Sequence, residues 1–245
     1  MKFPTKLIKG TLIKRYKRFL ADVTLTNGDE ITAHCANPGA MLGLKAPGQT
    51  VWLSPATNPK RKLKYSWELT EIKTENATQN TQENTLVGIN TSHPNKLIEE
   101  AIHNGTITQL QNYPNLKREV KYGENSRIDI LLQSQTAEQT PACYVEVKNV
   151  HLVRKPGLAE FPDSVTTRGS KHLKELANMR EKGQRAVMIY CIQREDATAF
   201  SLAQDIDPTY AAAFEDAIKA GVEAYAYRCK ITPKEITVRK EVPIK

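Results

Sequence analysis

Two short stretches constrain this chain's fold more than any others: Arg127-Ile128-Asp129-Ile130-Leu131-Leu132 and Cys143-Tyr144-Val145-Glu146-Val147-Lys148. In the first, apolar side chains flank one acid; in the second they alternate with an acid and a base, the pattern of half-buried strands. Strand side chains point to opposite faces with period two, so Glu146 and Lys148 share a face while Val145 and Val147 enter a core. The polar linker from Gln133 to Ala142 suits a hairpin, and antiparallel pairing then brings Asp129 beside Glu146. Two ionised carboxylates about 4 Å apart repel by roughly 4 kcal/mol at a near-surface dielectric. Such a pair calls for a shared proton or a cation, and a hard, oxygen-seeking ion such as Mg²⁺ suits it.

The first third of the chain reads as short strands and turns. Phe19 to Thr26 roughly alternates, Asn27-Gly28 is a hairpin signal, Ile31 to Cys35 resumes the sheet, and Asn37-Pro38-Gly39 and Pro47-Gly48 turn it again before Val51-Trp52-Leu53. A small antiparallel barrel is the expected product. Thr74 to Thr85 is polar and reads as a loop or linker between domains. Beyond it come a helix over Asn95–Ile102, strands over Leu116–Tyr122 and the two stretches above, a helix opened by Thr166, and a strand over Arg185–Gln193. Phe200-Ser201-Leu202 extends that sheet in this reading. A last helix runs from Asp207-Pro208 to Lys219, and Val222–Ile231 is the final strand. This order predicts an α+β chain in which a mixed sheet is covered by helices.

Charge is placed unevenly. Residues 1 to 70 hold 12 Lys and Arg against 4 Asp and Glu, whereas the remaining residues hold 23 of each, so the whole net charge of +8 lies in the first segment. A localised basic surface is the footprint of a polyanion partner, most often nucleic acid; the plainer alternative is a solvated face that aids solubility. In Lys60-Arg61-Lys62-Leu63-Lys64-Tyr65, with Trp67 beyond, cations mix with aromatic rings, which suits phosphate contact and base stacking or, equally, rings that fill the barrel. With 40% hydrophobic and 25% charged residues, the 245-residue chain has an ordinary globular composition. The longest apolar run, Ala186–Ile192, fits a buried strand, no stretch is long enough to span a membrane, and no apolar signal core follows Met1–Lys6, so a cytoplasmic protein is expected. Cys35, Cys143, Cys191 and Cys229 are scattered, which points to buried free thiols, and the five histidines have no metal-ligand spacing.

Asp129, Glu146 and Lys148 match the spacing Asp-xₙ-Glu-x-Lys and resemble the PD-(D/E)XK nuclease superfamily, which also shares the order helix, three strands, helix, strand. Phosphodiester hydrolysis needs a metal to hold the phosphate and acidify a water. Asp129 and Glu146 are the expected ligands of Mg²⁺ or Mn²⁺, the Val147 carbonyl stands alongside, and Lys148 stabilises developing negative charge. The resemblance places a further acid at Glu100 rather than Glu99. The alternative is a surface salt bridge between Lys148 and the two acids, of little energetic consequence. Arg168, Lys171 and His172 cluster in the first turns of the helix after Thr166, where free amides and the helix dipole favour an anion such as a DNA phosphate; the alternative is that His172 caps local groups. Asp163 is placed to orient Arg168 or a metal-bound water.

Four runs carry a closer resemblance: Lys14-Arg15-Tyr16-Lys17-Arg18-Phe19-Leu20-Ala21-Asp22-Val23, Asn37-Pro38-Gly39-Ala40-Met41, Glu119-Val120-Lys121-Tyr122-Gly123, and Phe161-Pro162-Asp163-Ser164-Val165-Thr166 with Arg168-Gly169 and Lys171-His172-Leu173. In this order they resemble the bacterial sugar fermentation stimulation protein A family across nearly the whole chain. The resemblance implies an OB-like barrel over residues 1–82, a nuclease-like domain over 83–245, DNA binding without marked sequence preference, and a regulatory part in sugar, notably maltose, metabolism. Lys14, Arg15, Lys17, Arg18, Lys60, Arg61, Lys62 and Lys64 of the barrel then join Arg168, Lys171 and His172 as DNA contacts. Three functions follow for testing: a DNA-binding protein with a metal-dependent nuclease site, a non-catalytic DNA-binding regulator, and a sugar-binding module. The oligomeric state is left open, a homodimer among the options.

Overall fold

The alternating residues of the first third build six strands in the computed structural model, which describes residues 1–76, 81–123, 126–134 and 140–245. These are β1 (Ile8–Tyr16), β2 (Leu20–Leu25), β3 (Glu30–Cys35), β4 (Thr50–Pro55), β5 (Tyr65–Asn76) and β6 (Thr81–Gly88). They follow the order β3-β2-β1-β4-β5-β6, and a parallel pairing of β3 with β5 closes the first five into a barrel. Gly28, at φ 92°, supplies the left-handed residue that the β2–β3 turn requires. Leu12, Val23, Ala33, Val51, Leu53 and Trp67 fill the interior. Trp67 is fully buried and donates its indole N–H to the Leu69 carbonyl (2.9 Å), so it is a core residue rather than a stacking platform, and half-buried Tyr65 packs against the same core.

The expected linker over Thr74–Thr85 is instead strand at both ends. β5 runs to Asn76 and β6 starts at Thr81 and pairs with β5 as far as Gly88; residues 77–80 lie outside the described residues. A ribbon that leaves the core has no apolar face to reveal it, and its threonines pair across the strands, Thr74 with Thr85 at 2.7 Å.

The second half is a six-stranded sheet with helices on both faces. Its elements are α1 (Pro94–His103), β7 (Asn115–Tyr122), β8 (Ser126–Gln133), β9 (Cys143–Val150), β10 (Leu152–Lys155), β11 (Leu158–Phe161), α2 (Thr167–Glu181), β12 (Arg185–Ile192), β13 (Ala199–Leu202), α3 (Pro208–Lys219), β14 (Glu223–Ile231) and β15 (Ile236–Val242). The strand order is β15-β14-β12-β9-β8-β7, parallel across β9–β12–β14 and antiparallel elsewhere. α1 covers one face, packing Leu97, Ile98 and Ile102 with Ile130, Val145 and Ile189, while α2 and α3 cover the other with Leu173, Leu176 and Tyr210 against Met188 and Tyr190. Covered on both sides, β12 reads as a continuous apolar run. Five residues of the β8–β9 linker, 135–139, lie outside the described residues.

Phe200-Ser201-Leu202 does not extend the main sheet. It forms β13, which pairs in parallel with β11 in a separate three-stranded sheet of order β10-β11-β13, and Phe200 stacks on Tyr190 with centroids 4.2 Å apart. Strands this short carry too little pattern to be assigned from sequence. All four cysteines are buried and free, as expected. No helix among the described residues is long and apolar enough to cross a membrane.

Barrel and sheet share a core. Leu7 and Leu69 pack in the same cluster as α1 and the sheet face beneath it. Gly88 N–H donates to the Gln193 carbonyl (2.8 Å), and the Gln193 side chain donates to Asn90 O (3.1 Å) and Asn149 Oδ1 (2.6 Å).

Candidate functional site

The site begins where β8 and β9 stop pairing. Ile130 stands opposite Val145; one step further the ladder gives way to a side chain, and the Val147 N–H donates to Asp129 Oδ2 (2.7 Å). Asn95, in the first turn of α1, donates to Asp129 Oδ1 (2.8 Å). Burial, reinforced by the neighbouring Glu146 charge, pushes the Asp129 carboxyl up to about 6.

Glu146 projects from β9 towards α2, with its side chain 3% exposed. Its Oε1 accepts from the Lys148 ammonium (2.7 Å) and is hydrogen-bonded to His172 Nδ1. Arg168, one turn before His172 on α2, donates from Nε to His172 Nε2 (3.2 Å). An accepting Nε2 puts the imidazole proton on Nδ1, the nitrogen that faces Glu146. Burial alone would raise the Glu146 carboxyl, but the Lys148 and His172 contacts outweigh it and hold the group below its ordinary range. Of the two acids, Glu146 therefore keeps the negative charge while Asp129 titrates near neutrality.

Glu146 Oε2 is buried and has no hydrogen-bond partner among the described residues, and neither has the Tyr122 hydroxyl nearby. Burial and the charges of Glu146, Glu175 and Asp129 push that hydroxyl well above the ordinary phenol range. Buried polar atoms are seldom left unpaired. An orphaned carboxylate oxygen beside a second carboxyl fits a divalent cation, and Mg²⁺ takes one or two protein carboxylates and keeps its waters. Among the described residues no three His, Cys, Asp or Glu side chains form a ready-made metal cage.

The structure brings together Asp129, Glu146, Lys148, His172 and Arg168. It does not bring Glu100 to them: that carboxylate lies 2.5 Å from the Met1 amino group and is 42% exposed. Five positions along a helix rotate a side chain by about 140°, so Glu100 leaves the face from which Asn95 reaches Asp129. Glu99 pairs instead with Arg118 (3.4 Å). Lys171 stands at the helix surface, 3.6 Å from Glu175. His172 is buried against Glu146 rather than offered to a phosphate. Asp163 faces the barrel rather than Arg168. It accepts from the Met41 N–H of the barrel (3.0 Å) and pairs with His151 (3.3 Å). Gly39 permits that approach, since a Cβ there would lie 2.6 Å from Asp163 Oδ2.

Sequence reasoning missed Asn95, Asn149 and His151. The last two bond each other (3.0 Å) and continue the Gln193 network. A signal was present in Asn149 and His151, polar residues at alternate positions directly after Lys148.

Barrel and α/β domain enclose a cleft of about 780 Å³, with Arg15, Arg18 and Asn37 on one wall and Asn149, Asp163 and Thr166 on the other. Three of the four family-like runs meet here. Arg15 is tied down by its bonds to the carbonyls of Arg18, Asn37 and Gly39. Lys14 lies over the Tyr16 ring and 3.7 Å from Asp22, and Lys64 donates to the Pro59 carbonyl (2.7 Å). Lys17, Arg18, Lys60 and Lys62 are exposed, and Arg61 is half-buried.

Fold and site define a two-part chain, a closed OB barrel set against a mixed α/β sheet that holds a carboxylate pair, a lysine and a histidine. Family models agree with that division: the SfsA N-terminal OB domain matches residues 13–88, and the sugar fermentation stimulation protein RE domain matches residues 92–235. Relatives described as sugar fermentation stimulation protein homologs are 52% identical in Maricaulis maris, covering 100% of this chain and 98% of that protein, and 54% identical in Ruegeria sp., covering 99% and 100%. The chain belongs to the sugar fermentation stimulation protein family. Its fold is also that of a solved structure described as Pyrococcus furiosus SfsA in complex with Ca²⁺, with a TM-score of 0.85 at 24% identity, covering 100% of this chain and 98% of the other.

Proposed function

We propose that this protein binds nucleic acid through its barrel and cleft, and that its α/β domain hydrolyses phosphodiesters with Mg²⁺ or Mn²⁺ held by Asp129, Glu146 and the Val147 carbonyl. The observation that carries this reading is the buried, unpartnered Glu146 Oε2 next to a carboxyl displaced to about 6. The description of the Pyrococcus furiosus protein as a Ca²⁺ complex is consistent with an oxygen-rich cation site in this fold. When bound, such a cation supplies charge for the phosphate oxygens and acidifies a water.

The chain's own groups have distinct tasks. The Val147 amide and Asn95 fix the Asp129 carboxylate, Lys148 and His172 keep Glu146 ionised, and Arg168 sets the tautomer of His172. The ammonium of Lys148, whose side chain is 13% exposed, stabilises negative charge that develops on the phosphate or its attacking oxygen. Lys17, Arg18, Lys60, Arg61 and Lys62 draw in the backbone electrostatically, so affinity falls steeply as salt rises. The tie to sugar fermentation, carried by the family name, follows from nucleic-acid binding in this reading.

One observation favours a second reading, a non-catalytic DNA-binding regulator: Lys148 and His172 already satisfy Glu146 Oε1. Incubating DNA with the protein and Mg²⁺ or Mn²⁺ separates the two. Cleavage that Lys148→Ala abolishes supports the nuclease; DNA binding with no cleavage, and no Mn²⁺ signal lost in Asp129→Asn, supports the regulator.

A further inference from the structure

The β1–β2 turn holds two successive residues other than glycine, Lys17 and Arg18, in the left-handed region at φ 46° and 61°. Side chains rarely occupy that region without reason. The turn is pinned on both sides, by Arg15 Nε on the Arg18 carbonyl (3.1 Å) and by the Cys35 N–H on the Phe19 carbonyl (2.8 Å). What it presents is Phe19, which is 45% exposed and stacked on His34 of β3, with centroids 6.4 Å apart and planes inclined by 21°. Burial and the Arg61 charge hold the His34 imidazole below its ordinary range, and His34 pairs with Ser66, so the β4–β5 loop that carries Arg61 ends beside it. Exposed Lys60 and Lys62 flank Arg61. In OB barrels, the loops between strands 1 and 2 and between strands 4 and 5 hold oligonucleotides.

A second observation lies in the other domain. The Glu146 and Lys148 side chains are only 3% and 13% exposed, a depth that a stiff duplex does not enter. The cleft between the domains has Arg18 on its barrel wall and, opposite, Asn149 and Thr166 at the start of α2.

Building on the function proposed above, we infer that the nucleic acid is bound as an unpaired single strand: one base stacks on the outer face of Phe19, and Arg18 and Arg61 hold the adjoining phosphates. Stacking on a side-chain ring needs a base whose face is not already covered by its duplex neighbours, so the platform selects single-stranded over double-stranded ligand.

Fluorescence anisotropy at fixed ionic strength tests this, using a labelled single strand of about 20 nucleotides, longer than the site of one OB fold, and its blunt duplex. The expected result is single-strand affinity about tenfold or more above duplex affinity. Phe19→Ala should weaken the single strand about tenfold and leave the duplex unchanged, and Phe19→Trp should restore binding with indole emission quenched by the single strand alone. Equal or tighter duplex binding, or a Phe19→Ala variant that holds the single strand as well as the parent, overturns the inference and leaves the nucleic-acid reading standing. Binding of neither ligand overturns both.

Discussion

Glu146 shows how much a single position depends on its neighbours. It is a buried carboxylate kept charged by an ammonium two residues away on its own strand and by an imidazole from α2. Lys148→Ala leaves that charge with His172 alone, and under the function proposed above cleavage with Mn²⁺ should fall by about 100-fold or more while anisotropy shows nucleic-acid binding largely retained. Asp163 carries a different burden. Burial would raise its carboxyl, but His151, the Met41 amide and Ser164 bring it below the ordinary value. A carboxyl depressed in the folded state stabilises that state above its unfolded pKa of about 4 and loses the contribution as pH falls through the folded value. Asp163→Asn should therefore cost about 2 kcal/mol at pH 7, and its melting-temperature deficit should shrink below about pH 4. A deficit that stays constant down to pH 3 would contradict an ionised Asp163.

At the scale of elements, two helices are started by side chains that the sequence itself announces. Thr166 accepts the Gly169 N–H (3.1 Å) to cap α2, and Asp207 accepts the Tyr210 N–H (2.9 Å) to cap α3. Asp207 also accepts the Thr166 N–H (2.7 Å) and is 2% exposed, so it ties the two helix starts together. Thr166→Ala should cost about 1 kcal/mol, the ordinary loss of a cap, or about 2–4 °C in melting temperature for a chain of this size. Asp207→Ala should cost clearly more, because the buried Tyr210 N–H and the part-buried Thr166 N–H both lose their acceptor. Calorimetry on the two single variants and the double variant, with the costs less than additive, would establish the coupling. Less was legible in the edges. The β5–β6 ribbon lacks an apolar face, and β10, β11 and β13 are four residues each, so pairing decided them and periodicity did not.

For the molecule as a whole, the barrel and the α/β domain behave as one unit because Leu7 and Leu69 share a core with α1. A single cooperative calorimetric transition is expected, with calorimetric and van't Hoff enthalpies in agreement. Gly39→Ala drives a Cβ into the Asp163 carboxylate and should lower the melting temperature and split the transition, since it wedges apart the contact between the halves. One transition at an unchanged temperature would show that the Asp163 strap does not hold them together.

Read from the sequence alone, the barrel, the paired strands of Asp129 and Glu146, both capped helices and the basic first segment were legible, because each rests on local periodicity, turn chemistry or charge. The third acid was not. Glu100 and Asn95 lie on one helix, and only the packing of α1 on the sheet determines which of its faces meets Asp129. Packing likewise turned Asp163 towards the barrel and buried His172 against Glu146. Which side chains converge depends on contacts between residues distant in the chain, and those exist only once the helices and sheet have closed on one another.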